Sequence, residues 1–209
     1  MTGNNIYAYG VIEKEDVQFE SDGVEGGTRI YTVDYRTLSA VVSDVDTVEP
    51  ERTDENVEAH DAVLQRLLEL DGGRTVIPMQ YGMAFKDAAT LKNVLRGSLP
   101  AFRRALRNVD GTVELGLKLL TEEGASVDEE VIREDVSNRL DDLSEAVVEN
   151  DLFSDRLVLN RSYLVDRDQR EAFDAAVTEI EDAYDELLVQ YTGPWAPYNF
   201  VDIHVGANR

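Results

Sequence analysis

The N-terminal part of the chain contains three short segments rich in apolar, β-branched and aromatic residues, a composition typical of β-strands. They are NIYAYGVI at 5–12, RIYTVDY at 29–35 and LSAVVSDV at 38–45. In TDENVEAHDAVLQRLLEL at 53–70, apolar residues instead recur near every 3.6 residues, which predicts a helix with one buried face. Thr53 or Asp54 can cap the start of this helix, and the DGG that follows ends it.

The next segment, RTVIPMQYGMAF at 74–85, is apolar but is interrupted by Pro78 and Gly82. If it forms a strand, one face carries four large side chains at alternate positions. These side chains are Met79, Tyr81, Met83 and Phe85. Methionine and aromatic residues serve both in cores and at adaptable interfaces, so core packing and partner binding are both open for this group.

Residues 86–110, KDAATLKNVLRGSLPAFRRALRNVD, have helical spacing. Gly97 and Pro100 are expected to bend or split this helix, because proline removes a backbone donor and glycine is a poor helix former. The turn sequence NVDG at 108–111 then gives a candidate domain boundary. The predicted domains are residues 1–110 and 111–209.

The second half alternates strand and helix patterns. Strands are predicted at 111–120 and 155–166, a long amphipathic helix at 127–150 and a second helix at 167–188. The apolar stripe of the first helix comprises Val131, Val136, Leu140, Leu143 and Val147, and that of the second comprises Phe173, Val177, Ile180, Tyr184 and Leu187. Together with the strands of the first half, this order predicts an α+β fold with helices on one face of a mainly antiparallel sheet.

The C-terminal segment GPWAPYNFVDIH at 193–204 is rich in proline and aromatic residues. Proline fixes its own φ and favours extended geometry in the preceding residue, so this segment is predicted to be a rigid extended turn between two strands. We expect Trp195, Tyr198 and Phe200 to close the C-terminal core. A docking surface for another protein is the alternative.

The charge balance limits the possible partners. The chain has 43 acidic and 20 basic residues, a formal charge of −23, and no cysteine. Such a field disfavours nucleic acid and anionic membranes as partners, and the absence of thiols excludes disulfides and thiolate-bound metals. Without a signal segment or a long apolar run, the sequence predicts a cytoplasmic protein.

Acidic residues are spread along the whole chain, which indicates adaptation to a cytoplasm at molar salt. At about 1 M salt the Debye length is about 3 Å, so self-repulsion is largely screened. We therefore expect the melting temperature to rise as KCl is increased from about 0.1 to about 3 M. Thermal unfolding followed by circular dichroism measures this, and a constant melting temperature would contradict the prediction.

No motif for catalysis is present: the sequence lacks a phosphate-binding glycine loop, a nucleophile elbow and a paired-histidine zinc motif. The two histidines, His60 and His204, lie in different halves. His60 is expected to be a partly exposed helix position, and His204 to form a structural pair with Asp202. The sequence thus predicts a protein that is not an enzyme and that binds no cofactor or metal.

Several of these segments, in this order, resemble the gas vesicle GvpF/GvpL family over essentially the whole chain. The matching pieces include YAYGVI, LSAVVSDV, RTVIPMQYGMAFKDAATLKNVL, GTVELGLKLL, NRSYLV and, most specifically, GPWAPYNFVDI. The acidity agrees with the haloarchaeal F-type members. The resemblance implies two α+β domains, the C-terminal one a modified ferredoxin-like fold.

The resemblance also implies a function. Its members are minor accessory proteins of the gas vesicle, a hollow protein shell that provides buoyancy, and they assist nucleation and keep the hydrophobic major shell protein from aggregating. The expected partners are that protein and small accessory vesicle proteins. Candidate partner-binding residues are Met79, Tyr81, Met83, Phe85, Trp195 and Tyr198. The α+β pattern alone also allows a ferredoxin-like module that binds a small regulatory ligand.

Overall fold

The computed structural model describes residues 5–203 and confirms the predicted α+β class. These residues form two compact units, one made of residues 5–110 and 201–203 and the other of Gly111–Phe200. The predicted domains, 1–110 and 111–209, remain a proposal. Each unit contains its own antiparallel sheet together with two α-helices.

The first unit has six strands and two helices. The strands are β1 (Asn5–Glu13), β2 (Gln18–Glu20), β3 (Arg29–Tyr35), β4 (Leu38–Val45), β5 (Ile77–Pro78) and β6 (Ala84–Phe85). The helices are α1 (Asp54–Glu69) and α2 (Ala88–Asn108). The sheet order is β2-β3-β4-β1-β5, with β6 also paired to β1, so β1 is central and all but its two end residues are buried.

Helix α1 has the predicted cap and the predicted buried face. The Thr53 side chain accepts a hydrogen bond from the backbone N of Asn56 at 3.2 Å, which satisfies a donor of the first turn. Its buried apolar residues are Val63, Leu64, Leu67 and Leu68. Their spacing of three and four residues places them on one side of the helix, which explains why the local pattern sufficed to predict it.

The predicted strand at 74–85 is wrong, because only its β5 and β6 parts pair with β1, and Gly82 between them has a φ of 94°. Of the two alternatives for the helix at 86–110, bent or split, the structure excludes the split, since α2 runs continuously through Pro100. Tertiary packing explains its continuity, because Leu95 and Phe102, on either side of the proline, are both buried.

The second unit has the order βαββαβ, which is that of the ferredoxin-like arrangement. Its elements are β7 (Thr112–Thr121), α3 (Glu129–Leu140), β8 (Ala146–Glu149), β9 (Leu157–Asp166), α4 (Arg170–Ala183) and β10 (Leu187–Trp195). The strands pair in the order β10-β7-β9-β8, all antiparallel. Residues of α3 and α4 share one buried core with the facing residues of the sheet.

The predicted long helix at 127–150 is wrong, because α3 ends at Leu140 and residues 146–149 form β8. The buried face of α3 is Ile132, Val136 and Leu140, whereas Val131 is 56% exposed. Strand β8 is held by pairing with β9, including Val147 opposite Tyr163. This pairing involves residues outside the segment 127–150, so the periodicity within that segment does not reveal it.

The C-terminal segment also differs from the prediction. Strand β10 continues to Trp195, with an irregular register after Thr192, and a 3-10 helix follows at Tyr198–Phe200. Trp195 and Phe200 are half-buried and Tyr198 is 37% exposed, whereas Ala196 and Pro197 are buried. The aromatic residues therefore do not close the core, and residues 201–203 form no strand. His204 lies outside the described residues.

Candidate interaction site

Helices α3 and α4 pack against one face of the second sheet, and we call the opposite face of this sheet the open face. Side chains alternate along β7, so Leu115, Leu117 and Leu119 enter the core with α3 and α4. Glu114 and Lys118 consequently point to the opposite, open face. Asn160 and Ser162 of β9 lie opposite Lys118 and Gly116 in the register and belong to the same face.

The centre of the open face is a polar cluster around Glu114, which is 5% exposed. The backbone N of Asn199 donates to Glu114 Oε2 at 2.9 Å, and Asn199 Nδ2 donates to Glu114 Oε1. Asn199 Nδ2 also donates to Ser162 Oγ at 3.0 Å. Because hydrogen bonds to a buried carboxylate are strong, those of Asn199 hold the C-terminal segment against the open face.

A cleft of about 310 Å³ lies beside this cluster on the open face. Most of its lining residues are polar or charged, and they include Glu114, Lys118, Asn160, Gln190, Thr192 and Asn199. Small-molecule pockets of this size are mostly apolar. The lining here is therefore unlike that of a typical ligand pocket.

Exposed apolar side chains surround the polar centre. Phe153 is 70% exposed, and Lys118 Nζ lies 5.4 Å from the centroid of its ring. Leu188 is 50% exposed and pairs with Leu120 across β10 and β7. Trp195, paired with Glu114, lies further along β10, where its indole N donates to Thr192 Oγ1 at 3.3 Å. The open face thus combines a hydrogen-bonded centre with an apolar margin.

Partner binding by Trp195 and Tyr198 stays a prediction, and the other residues of this surface were not named from the sequence. Phe153 and Leu152 form an apolar pair inside an acidic loop, without strand or helix periodicity. That isolation was the available signal, because a loop residue that cannot enter a core remains exposed. The role of Asn199 had no signal in the sequence, since its partner Glu114 is distant along the chain.

The other predicted interaction residues lie in the first unit. Met79 is 2% and Phe85 is 8% exposed, so both have almost no surface for a partner, which favours the packing alternative for them. Met83 and Tyr81 are half-buried, and the Tyr81 hydroxyl donates to the backbone O of Glu51. For Tyr81 and Met83, partner binding therefore stays a prediction.

His60 is not partly exposed as predicted but is 2% exposed. Its Nδ1 lies 2.8 Å from the Tyr7 hydroxyl, and that hydroxyl accepts a hydrogen bond from the backbone N of Gly82 at 3.1 Å. Burial lowers the pKa of His60 to about 4, and a backbone hydrogen bond with Met79 acts in the opposite direction. The neutral ring therefore anchors the turn around residues 79–82 to β1 and α1.

The described residues contain no group of three or more His, Cys, Asp or Glu side chains arranged to hold a metal ion. Within the same residues, none of the helices combines the length and the apolar character needed to cross a membrane.

Comparison with known proteins gives concordant results. The family model described as "Gas vesicle synthesis protein GvpL/GvpF" matches residues 5–136 and 126–202. The chain is 62% identical over 207 residues to gas vesicle protein F of Haloferax mediterranei, covering 99% of this chain and 97% of that protein. It is 58% identical to gas vesicle protein F1 of Halobacterium salinarum, covering 98% and 96% of the two chains.

The crystal structure of gas vesicle protein GvpF from Anabaena sp. PCC7120 has a similar fold. The TM-score is 0.84, the identity is 18%, and the match covers 96% of this chain and 99% of that one. At this identity the likeness concerns the fold, and it supports the α+β architecture described above.

Proposed function

Because the chain belongs to the gas vesicle synthesis protein GvpL/GvpF family, we propose that it assists nucleation and assembly of the gas vesicle shell. In this proposal it acts in the cytoplasm as an accessory protein that binds the hydrophobic major shell protein and keeps it from aggregating. The assembled vesicle then gives the cell buoyancy. Small accessory vesicle proteins are further partners, and no catalytic step is required.

The observation that carries this proposal is the apolar margin of the open face. Phe153 and Leu188 are large apolar side chains that are at least half exposed. Exposed aromatic and aliphatic residues next to a rigid sheet are typical of protein interfaces, and burial of each on binding is favourable. The many acidic side chains, which give a formal charge of −23, favour the solubility of the complex.

Molar salt favours such an apolar contact. Ion pairs between exposed groups weaken as the Debye length falls to about 3 Å, whereas burial of apolar surface does not depend on screening. Binding of the shell protein to the open face should therefore become tighter as salt is increased.

The double variant Phe153→Ser/Leu188→Ser tests this surface. We expect it to retain its melting temperature, because both side chains are exposed, but to lose binding by about 2 to 4 kcal/mol, since interface anchors contribute about 1 to 2 kcal/mol each. The measurement is co-expression with the major shell protein at high salt, followed by sedimentation. The wild-type chain should leave more shell protein in the supernatant than the variant does.

The matched control is Val48→Ser/Val131→Ser, which replaces two exposed apolar residues outside the open face, 45% and 56% exposed. This control should behave like the wild type. Equal pelleting of the shell protein with and without the wild-type chain would contradict the proposed function itself. If both double variants left equally little shell protein in the supernatant, the open face would not be the binding surface.

The alternative of a small-ligand regulatory module has less support. It would require an apolar pocket with a few convergent polar groups. The cleft on the open face is instead lined mainly by polar and charged residues, and the exposed apolar side chains lie around it, where a protein partner can contact them.

A further inference from the structure

Helix α2 has a charge composition unlike the rest of the chain. Its 21 residues contain five cations and no acidic residue, although acidic residues outnumber basic ones 43 to 20 overall. Helices α1, α3 and α4 all carry acidic residues in their first turn, and α2 does not. The helix dipole stabilises cations near a helix C-terminus, which explains the position of Arg107. It does not explain Lys92 and Arg96, which lie nearer the N-terminus.

Four of the five cations lie on one stripe of α2. At about 100° per residue, Lys92, Arg96, Arg103 and Arg107 fall within about 60° around the helix axis. All four side chains are exposed. A neighbouring stripe of α2 is buried and consists of Leu91, Leu95, Phe102 and Leu106. Because this buried stripe packs against the sheet, it determines which way the cationic stripe faces.

The stripe borders a cleft of about 440 Å³ in the first unit. Arg103 and Arg107 line it together with Lys14 and Arg36, which lie near β1 and β3. The cleft also contains the carboxylate of Glu13, and Lys14 forms an exposed ion pair with Asp34 at 3.6 Å.

The cations of α2 are available for an external partner. Within residues 5–203, no carboxylate forms an ion pair with the four cations of the stripe. By contrast, Arg133, Arg139 and Arg161 of the second unit each contact an acidic side chain. The guanidinium group of arginine can donate two hydrogen bonds to one carboxylate. Within residues 5–203, the arginines of the stripe do not bind a carboxylate in this way.

We propose that the α2 stripe, with Arg36 at the cleft, is a docking surface for a short acidic segment of a partner protein. Nucleic acid is a less suitable occupant, because its binding depends on release of condensed counterions and weakens steeply as salt rises. A short acidic segment confines its charge to the stripe. In molar salt the general repulsion between two acidic proteins is screened, and ion pairs that the bound segment partly buries are screened less than exposed ones.

This surface is separate from the apolar margin of the open face in its residues and its chemistry. Its binding should weaken as salt rises, whereas binding at the open face should strengthen. The inference therefore does not depend on the proposed shell-protein interaction.

A fluorescently labelled short peptide of alternating glutamate and serine is the probe, with its fluorescence anisotropy measured at about 1 M KCl. The intact chain should bind it, and should not bind a peptide of glutamine and serine. Arg103→Gln/Arg107→Gln should weaken binding roughly tenfold, the factor that corresponds to about 1.4 kcal/mol for two exposed ion pairs. Lys92→Gln/Arg96→Gln, on the same stripe, should weaken it in the same direction.

The matched control is Arg29→Gln/Arg52→Gln, which removes the same charge at exposed positions of the first unit outside the stripe and should retain binding. Circular dichroism verifies that each variant is folded. Absence of peptide binding to the intact chain would overturn the inference, as would equal weakening in the control. It would also be overturned if a single-stranded DNA of equal charge bound as tightly and lost binding in the same stripe variants.

Discussion

The contribution of His60 to the free energy of unfolding is expected to fall by about 3 kcal/mol as the pH is lowered from 6.5 to about 4, and His60→Gln is expected to remove this contribution. The cause is the burial of His60, which is 2% exposed and hydrogen-bonded through Nδ1 to the Tyr7 hydroxyl. In the folded chain, protonation would charge a buried ring and disrupt that hydrogen bond.

The sign follows from the depressed pKa. Between pH 6.5 and about 4 the unfolded chain binds a proton at His60 and the folded chain does not, so acidification favours unfolding. Above pH 6.5 the ring is neutral in both states, and the contribution no longer changes with pH. Below about pH 4 the folded chain also takes up the proton, and the loss is complete.

Chemical denaturation at several pH values in high KCl measures this effect. Subtracting the profile of His60→Gln from that of the wild type isolates the histidine, because the carboxylates titrate in both proteins. His204→Gln is the matched control and should keep the full pH dependence. A pH dependence that is the same in His60→Gln as in the wild type, and smaller in His204→Gln, would contradict the assignment.

Asn199→Ala is expected to lower the free energy of unfolding by about 2 kcal/mol, because it removes a side-chain donor from a buried carboxylate. Asn199 Nδ2 donates to both Glu114 and Ser162, and Glu114 is only 5% exposed. The backbone N of residue 199 can still reach Glu114 Oε2, so the loss is partial. The C-terminal segment should then detach from the open face more readily.

Trp195 makes this change observable, because it is the only tryptophan in the chain and is half-buried beside the polar cluster. Its emission should shift to longer wavelength in Asn199→Ala. Asn150→Ala is the matched control, since Asn150 Nδ2 donates to Ser162 Oγ at 3.1 Å and has no contact with the carboxylate. Asn150→Ala should lower the free energy of unfolding by about 1 kcal/mol and leave the emission of Trp195 unchanged.

A double-mutant cycle separates the two partners. In a Glu114→Gln background the charge is absent, so Asn199→Ala should cost less than it does in the wild type. Equal costs in both backgrounds would show that Asn199 stabilises the segment without the carboxylate.

The two proposed surfaces lead to opposite responses to salt. Under the two proposals, burial of Phe153 and Leu188 against the shell protein would persist at high ionic strength, whereas ion pairs between the α2 stripe and an acidic partner would weaken. An accessory protein with both properties can hold an apolar client tightly while exchanging an acidic partner. Measuring both affinities across the same KCl series would distinguish the surfaces without any variant.

Several elements were predictable because their signals are local. The strands at 29–35 and 38–45 and helix α1 follow from apolar periodicity and from a cap at Thr53. The strand at 146–149 was missed because it is short, and it is held by pairing with β9. The unbroken α2 was missed because packing on both sides of Pro100 outweighs the preference of proline for a break.

The candidate surface was predictable only in part. Trp195 and Tyr198 stand out in the sequence because aromatic residues among prolines are unusual, but their exposure depends on where β10 ends. Asn199 and Glu114 are separated by most of the second unit, and their contact arises only when the final segment crosses the sheet. His60 was predicted to be partly exposed, but it is buried because Tyr7 of β1 packs against it and forms a hydrogen bond with its ring.

The sequence by itself determined the composition and the local structure: an acidic, cysteine-free α+β chain, its family, and a helix with five cations and no acid. These properties depend on neighbouring residues or on residue counts. The tertiary structure decided which side chains meet or remain exposed: Asn199 on Glu114, His60 on Tyr7, and Phe153 and Leu188 left uncovered. Such contacts join residues distant along the chain, and their energies depend on burial, which only the folded chain defines.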